Sequence, residues 1–214
     1  MSTRSVSAPA YTPQGLLVRN VLGDGSCGYR AVMFGMLEHD WEKTVDRLPV
    51  SVATALPAAR PRDLVAFFDA HDRDLCAAAR GLVTHRIRHD PEVREWAGDP
   101  GDRETEAGRA LVDAQNPHGY MDEVALHALA KALGVRIAVK FRHDVLVAPF
   151  KDPKDDRLVS VCLKPVQDAA PSDFVNHYML CYPGRIRSGN RISIDPFMHT
   201  TMAHRGVNAS RHTV

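Results

Sequence analysis

A chain of 214 residues, 44% hydrophobic and 25% charged, has room for one globular domain with extensions, and its formal net charge of +1 gives no bulk field for nucleic acid or anionic membrane. No run is long and apolar enough to span a bilayer, and the N-terminus has no basic start followed by an apolar core, so a cytoplasmic location is expected. The four cysteines, Cys27, Cys76, Cys162 and Cys181, are scattered without a C-x-x-C pair, which argues against a disulfide framework or a thiolate zinc site.

Residues 1–14 carry Ser, Thr, Pro and Ala without periodicity and are expected to be a mobile leader. Leu16 to Val21 is a short apolar run, read as a strand or extended segment that delivers the next stretch. That stretch is Gly23-Asp24-Gly25-Ser26-Cys27, a small polar turn leading into a segment, Gly28 to Leu37, that is apolar on nearly every side. Such a segment reads as a helix buried in a core, which places the Cys27 thiol at its N-terminus. There the helix dipole and unpaired backbone N–H groups favour a thiolate, and the same N–H groups can hold an oxyanion. Gly25 can adopt positive φ, and Ser26 or Asp24 can cap the helix. Inert packing is the other reading of Cys27, because free cysteine is among the most buried residue types.

Residues 38–60 give no clear pattern. Arg62 to Phe68 is expected to be one helix and Asp72 to Thr84 another. His85 and His89, four apart, are either a metal pair or a solvated basic patch, and Arg86 and Arg88 favour the patch. Gly98 to Arg103 is a loop, followed by an acidic stretch with Glu104 and Glu106. Met121 to Leu133 is an amphipathic helix with Asp122 and Glu123 in its first turn and Gly134 as its stop. Val135 to Phe141 alternates as a strand, and Leu158 to Leu163 and Phe174 to Tyr182 are two more. Helices followed by a late cluster of strands predict an α+β fold with a small sheet against a helical layer. From residue 185 onward Gly, Arg and His dominate, so 185–214 is expected to be a basic, weakly ordered tail and 15–184 the folded domain.

His177 lies in the last expected strand, and its order after Cys27 suits a Cys–His hydrolase of papain-like arrangement. Asp24-Gly25-Ser26-Cys27-Gly28-Tyr29-Arg30-Ala31 resembles the nucleophile motif of the ovarian-tumour (OTU) family of cysteine proteases, Asp-Gly-x-Cys, then two residues of which the second is aromatic, then Arg-Ala. Asn176-His177-Tyr178 resembles the family's general-base motif, and Tyr120 to Phe141 its acidic-start helix and following strand. The resemblance implies a papain-like OTU fold with a small β-sheet between helices. It also implies a monomeric deubiquitinase that needs no metal or cofactor and acts on ubiquitin or polyubiquitin. Cys27 would attack the carbonyl after ubiquitin's C-terminal glycine, His177 would act as base and acid, and Gly25 and Ser26 would form the oxyanion loop. Ubiquitin's basic tail makes Asp102, Glu104, Glu106, Asp122 and Glu123 candidate substrate contacts, against their reading as a solvated face.

Two positions depart from the pattern: Gly28 stands where the family often has Leu, and Met179, two after His177, cannot orient an imidazole. Strand alternation turns Asn176 away from the face His177 would share, so Asp24 is the first candidate orienter, Asn20 the second and a bare Cys–His dyad the third. Two other functions are compatible with these residues. One is a catalytically weak ubiquitin-binding module, the other an OTU-like protease acting on a viral or effector polyprotein or a ubiquitin-like modifier.

Overall fold

The computed structural model describes residues 5–11, 16–141, 144–147, 158–163, 178–188 and 191–193; His177, Asn176 and the start of the strand expected from Phe174 lie outside them. Seven helices lead into a sheet: α1 (Cys27–His39), α2 (Trp41–Val45), α3 (Val50–Ala53), α4 (Leu64–His89), α5 (Pro91–Ala97), α6 (Glu106–Gln115) and α7 (Glu123–Leu133). The strands are β1 (Ala10–Tyr11), β2 (Leu16–Arg19), β3 (Arg136–Phe141), β4 (Asp144–Val147), β5 (Leu158–Leu163), β6 (Tyr178–Ser188) and β7 (Arg191–Ser193). Their order in the sheet is β1-β2-β6-β5-β3-β4, with β7 also paired to β6. All pairs are antiparallel except β3 and β5. This is the α+β architecture that the sequence predicts.

α1 is the centre of the molecule. Every residue from Cys27 to Leu37 is buried, because the helix lies between α4 on one side and β5 and β6 on the other. Its apolar circumference is what makes that position possible. The edge-to-face pair of Phe34 and Phe68, 5.2 Å apart, joins α1 to α4. α4 also packs against α6 and α7, which completes the helical layer.

The helix ends follow local chemistry. Asp63, Asp90, Thr105 and Asp122 each accept a hydrogen bond from a first-turn amide of α4, α5, α6 and α7 respectively, caps worth about 1 kcal/mol apiece. Gly134 ends α7 in the left-handed region at φ +59°, as its position in the sequence requires.

One expectation is corrected. The two helices expected over 62–84 are the single 26-residue helix α4. Its charged middle does not break it, because Asp69 accepts the Ser5 amide at 2.7 Å and Asp72 binds Arg30. The leader is docked over residues 5–11. Val6 is fully buried and bridges Val21, and Ser7 exchanges hydrogen bonds with Asn20. β6 continues to Ser188 and turns back into β7, and the register shift opposite Leu16 and Leu17 accommodates Pro183, which has no N–H to give the ladder.

Candidate active site

Cys27 is the first residue of α1, 1% exposed. Its Sγ accepts the backbone N–H of Tyr178 at 3.4 Å, from the first residue of β6. Burial raises the thiol pKa above its ordinary value, against the opposing pull of the Tyr178 and Gly28 amides and of the Arg30 charge.

The turn before it is fixed from below by Arg30, 2% exposed on the next turn of α1. Its guanidinium grips the Asp24 carboxylate with two nitrogens, at 2.9 and 3.0 Å, and the Asp72 carboxylate of α4 with two, at 2.7 and 2.8 Å. It also donates to the Leu22 carbonyl at 2.6 Å. Burial would raise the Asp24 pKa, but the hydrogen bonds from Arg30 and from the Ser26 amide, together with the Arg30 charge, hold it below the usual carboxylate value. Asp24 is thus engaged by Arg30 and the turn itself. Ser26 occupies the cap position of α1 without capping it through its side chain; its hydroxyl instead donates to the Pro117 carbonyl at 3.1 Å.

Gly25 is obligatory on two counts. Its φ is +89°, and a Cβ there would sit 2.1 Å from the His118 carbonyl oxygen. The segment between α6 and α7 is therefore pressed directly onto the nucleophile turn. His118 Nδ1 also lies 3.4 Å from the Asp24 carbonyl oxygen.

Gly28 has an equally direct reason. A Cβ there would meet Met121 Cβ at 2.9 Å, Tyr178 Cδ2 at 3.0 Å and Met121 Sδ at 3.1 Å. The Tyr178 hydroxyl donates to the Met121 carbonyl at 3.0 Å. Met121 and Tyr178 fill the volume that a larger residue at 28 would need.

The structure thus brings Asp24, Gly25, Ser26 and Cys27 into one turn with Tyr178 beside it. The acidic candidates lie outside this turn. Glu104 and Glu106 are exposed at the approach to α6, and Glu123 is exposed in the first turn of α7. Asp122 accepts the Ala125 amide at 2.8 Å as the α7 cap, and burial, reinforced by the Asp113 and Glu106 charges, raises its pKa. Asn20, the second candidate orienter, is exposed, and its backbone bonds Ser7. The rings of His85 and His89 are 4.8 Å apart and exposed, and among the described residues no third metal ligand joins them. Sequence reasoning missed Asp72 and Arg80, both of which bond the turn or its anchor. The available signal was their place on the buried stripe of α4, which runs through Leu64, Phe68, Leu75, Ala79, Val83 and Ile87.

No family model matches the chain, and no curated protein matches it. Solved structures do. The h/ceOTUB1–ubiquitin aldehyde–UBC13~Ub complex aligns with a TM-score of 0.58 at 16% identity, over 84% of this chain and 90% of that chain. The h/ceOTUB1–ubiquitin aldehyde–UBCH5B~Ub complex aligns with a TM-score of 0.54 at 15% identity, over the same shares. The chain has the fold of the ovarian-tumour (OTU) domain.

Proposed function

We propose that the protein is a cysteine deubiquitinase that hydrolyses the isopeptide or peptide bond after the C-terminal glycine of ubiquitin. The observation that carries this reading is the Tyr178 amide on the Cys27 sulfur, since the residue just before Tyr178 in the chain is His177. The OTU fold and the complexes of similar proteins with ubiquitin aldehyde support it.

In this reading His177 takes the Cys27 proton as Sγ attacks the carbonyl carbon, and the carbonyl oxygen becomes an oxyanion. The Ser26 carbonyl accepts the Arg30 amide at 2.8 Å. The N–H on the other side of that peptide, that of Cys27, consequently points away from the helix, the direction an oxyanion donor needs. Collapse breaks the C–N bond, His177 returns its proton to the lysine amine, and water then hydrolyses the thioester to regenerate the thiol. The engagement of Asp24 by Arg30 and the Ser26 amide supports a turn-shaping role for this carboxylate over an imidazole-orienting one.

One observation favours a second reading, a ubiquitin-binding module with weak catalysis: Cys27 is almost fully buried and its thiol is biased toward the neutral form. A ubiquitin whose C-terminus carries an electrophile separates the two. Covalent capture dependent on Cys27, followed by cleavage in a panel of ubiquitin chains, supports the deubiquitinase. Binding without capture supports the module.

A further inference from the structure

Arg80 of α4 is 7% exposed, and among the described residues no carboxylate pairs with it. A buried cation without a counter-ion is costly unless its donors are satisfied. Here carbonyl and hydroxyl oxygens engage both Nη groups, while Nε is buried without a partner. The two hydrogens of Nη2 are shared among four oxygens, those of the Gly119 carbonyl at 2.8 Å, the Ser26 hydroxyl at 3.1 Å, the Pro117 carbonyl at 3.2 Å and the Gly25 carbonyl at 3.3 Å. Nη1 donates to the Asp113 carbonyl at 3.0 Å, and the guanidinium carbon lies 4.2 Å from the centre of the Tyr29 ring. One side chain thus ties the turn before Cys27 to the segment between α6 and α7.

The consequence is geometric. The Gly25 carbonyl and the Ser26 N–H belong to one planar peptide unit. Arg80 holds the carbonyl end, and Asp24 Oδ1 accepts from the N–H end at 3.0 Å. Gly25, at φ +89°, is the flexible residue about which that plane could otherwise rotate. The Ser26 hydroxyl, held between Arg80 and the Pro117 carbonyl, and the Ser26 carbonyl, bonded to the Arg30 amide, restrain the two dihedrals that lead to the next peptide, whose N–H is that of Cys27.

We infer that Arg80 is a positioning residue for the oxyanion turn, acting through the Gly25 carbonyl and Ser26 hydroxyl and never touching the substrate. The inference rests on the deubiquitinase reading. It predicts a selective defect. Attack on a carbonyl builds an oxyanion and depends on the turn, whereas displacement of iodide from iodoacetamide by the same sulfur builds none.

The test compares wild type, Arg80→Gln and Arg80→Lys in two assays: steady-state cleavage of a ubiquitin C-terminal amide, and alkylation of Cys27 by iodoacetamide, with thermal melting as a control for folding. Positioning predicts that kcat falls about 10²-fold in Arg80→Gln with KM little changed. Arg80→Lys, which keeps the charge but loses the planar fork, should recover part of that loss. Alkylation should stay within about twofold of wild type in any variant that melts cooperatively. If Arg80→Gln fails to fold, Arg80→Lys carries the same comparison. Equal losses in both assays would assign Arg80 to the general architecture or to the thiolate, and unchanged kcat in both variants would give it no role; either overturns the inference while the deubiquitinase stands. A wild type that alkylates at Cys27 but cleaves no ubiquitin substrate overturns the deubiquitinase reading, and this role of Arg80 with it.

Discussion

The amide of Tyr178 donates to the sulfur of Cys27 at 3.4 Å, although the two residues stand 151 positions apart in the chain. The contact joins the first turn of the central helix to the first residue of the strand that lies between β2 and β5 in the sheet. It is a hydrogen bond to the Cys27 sulfur from the backbone, so no side-chain substitution at 178 removes it directly.

Cys27→Ala should abolish hydrolysis and leave the fold intact. The replacement removes one buried atom from a site already walled by α4 and β6, with a cost of about 1 kcal/mol or less and a fall in melting temperature of about 2–4 °C. The measurement is turnover of a ubiquitin substrate beside a thermal melt. Residual turnover at the wild-type rate would remove Cys27 from the chemistry.

Asp24→Asn should lower kcat without moving the acid limb of the pH–rate profile, because the carboxylate shapes the turn through Arg30 and the Ser26 amide. If Asp24 oriented His177 instead, losing its charge would lower the apparent pKa of the base. The stability arm has a definite sign. The folded-state pKa of Asp24 is depressed, so its contribution is present above the unfolded value, about 3.9, and is lost as pH falls through the folded one. Denaturation curves collected from neutral pH down through this window should lose stability less steeply in Asp24→Asn than in wild type.

Gly28→Ala should destabilise the protein by about 1–3 kcal/mol, since its new methyl meets Met121 and Tyr178 at 2.9–3.1 Å. It should also reduce kcat by displacing Tyr178 and hence its amide from Cys27. Met121→Ala removes the Sδ contact at 3.1 Å while keeping the Cβ at 2.9 Å, so the double variant Met121→Ala with Gly28→Ala should cost less than the sum of the two single ones. A double-mutant cycle in urea reads the coupling, and simple additivity would mean that the two residues do not compete for one space.

His127 on α7 is buried, its Nε2 has no hydrogen-bond partner, and Glu92 Oε1 is 4.0 Å away. Burial lowers its pKa, opposed by the Glu92 and Asp90 charges and assisted by Lys131. A depressed folded-state pKa means that stability is complete above the unfolded value, about 6.5, and is lost as pH falls from there through the folded one. Wild type should lose urea resistance over that window while His127→Leu does not. Parallel curves would show that the imidazole binds protons equally in the folded and unfolded states there.

The parts legible in the sequence are those where one local rule dominates. α1 was readable because nothing on its circumference is polar before Glu38 except Arg30. The end of α7 was readable because Gly134 stops it, and β5 because Leu158 to Leu163 stands between turn signals. What was not legible depends on partners distant in the chain. α4 read as two helices because Asp69 and Asp72 look like breakers until Ser5 and Arg30 arrive to bond them. Residues 5–11 read as leader because nothing local announces that Val6 has a place beside Val21. The engagement of Asp24 by Arg30, six residues further along, depends on side chains meeting in space and has no local signature.

The pairing of β2 with β6 sets a schedule for synthesis. β2 and the nucleophile turn are made first, and the neighbour that completes them in the sheet is made more than 150 residues later. At roughly 5–20 residues per second, the wait is on the order of ten seconds. Throughout that interval β2 has only the two-residue strand β1 alongside it, and Cys27 has no Tyr178 amide. A chain caught at this stage presents an open strand edge and a cysteine not yet in its site, which is where nascent-chain aggregation and premature oxidation would be concentrated.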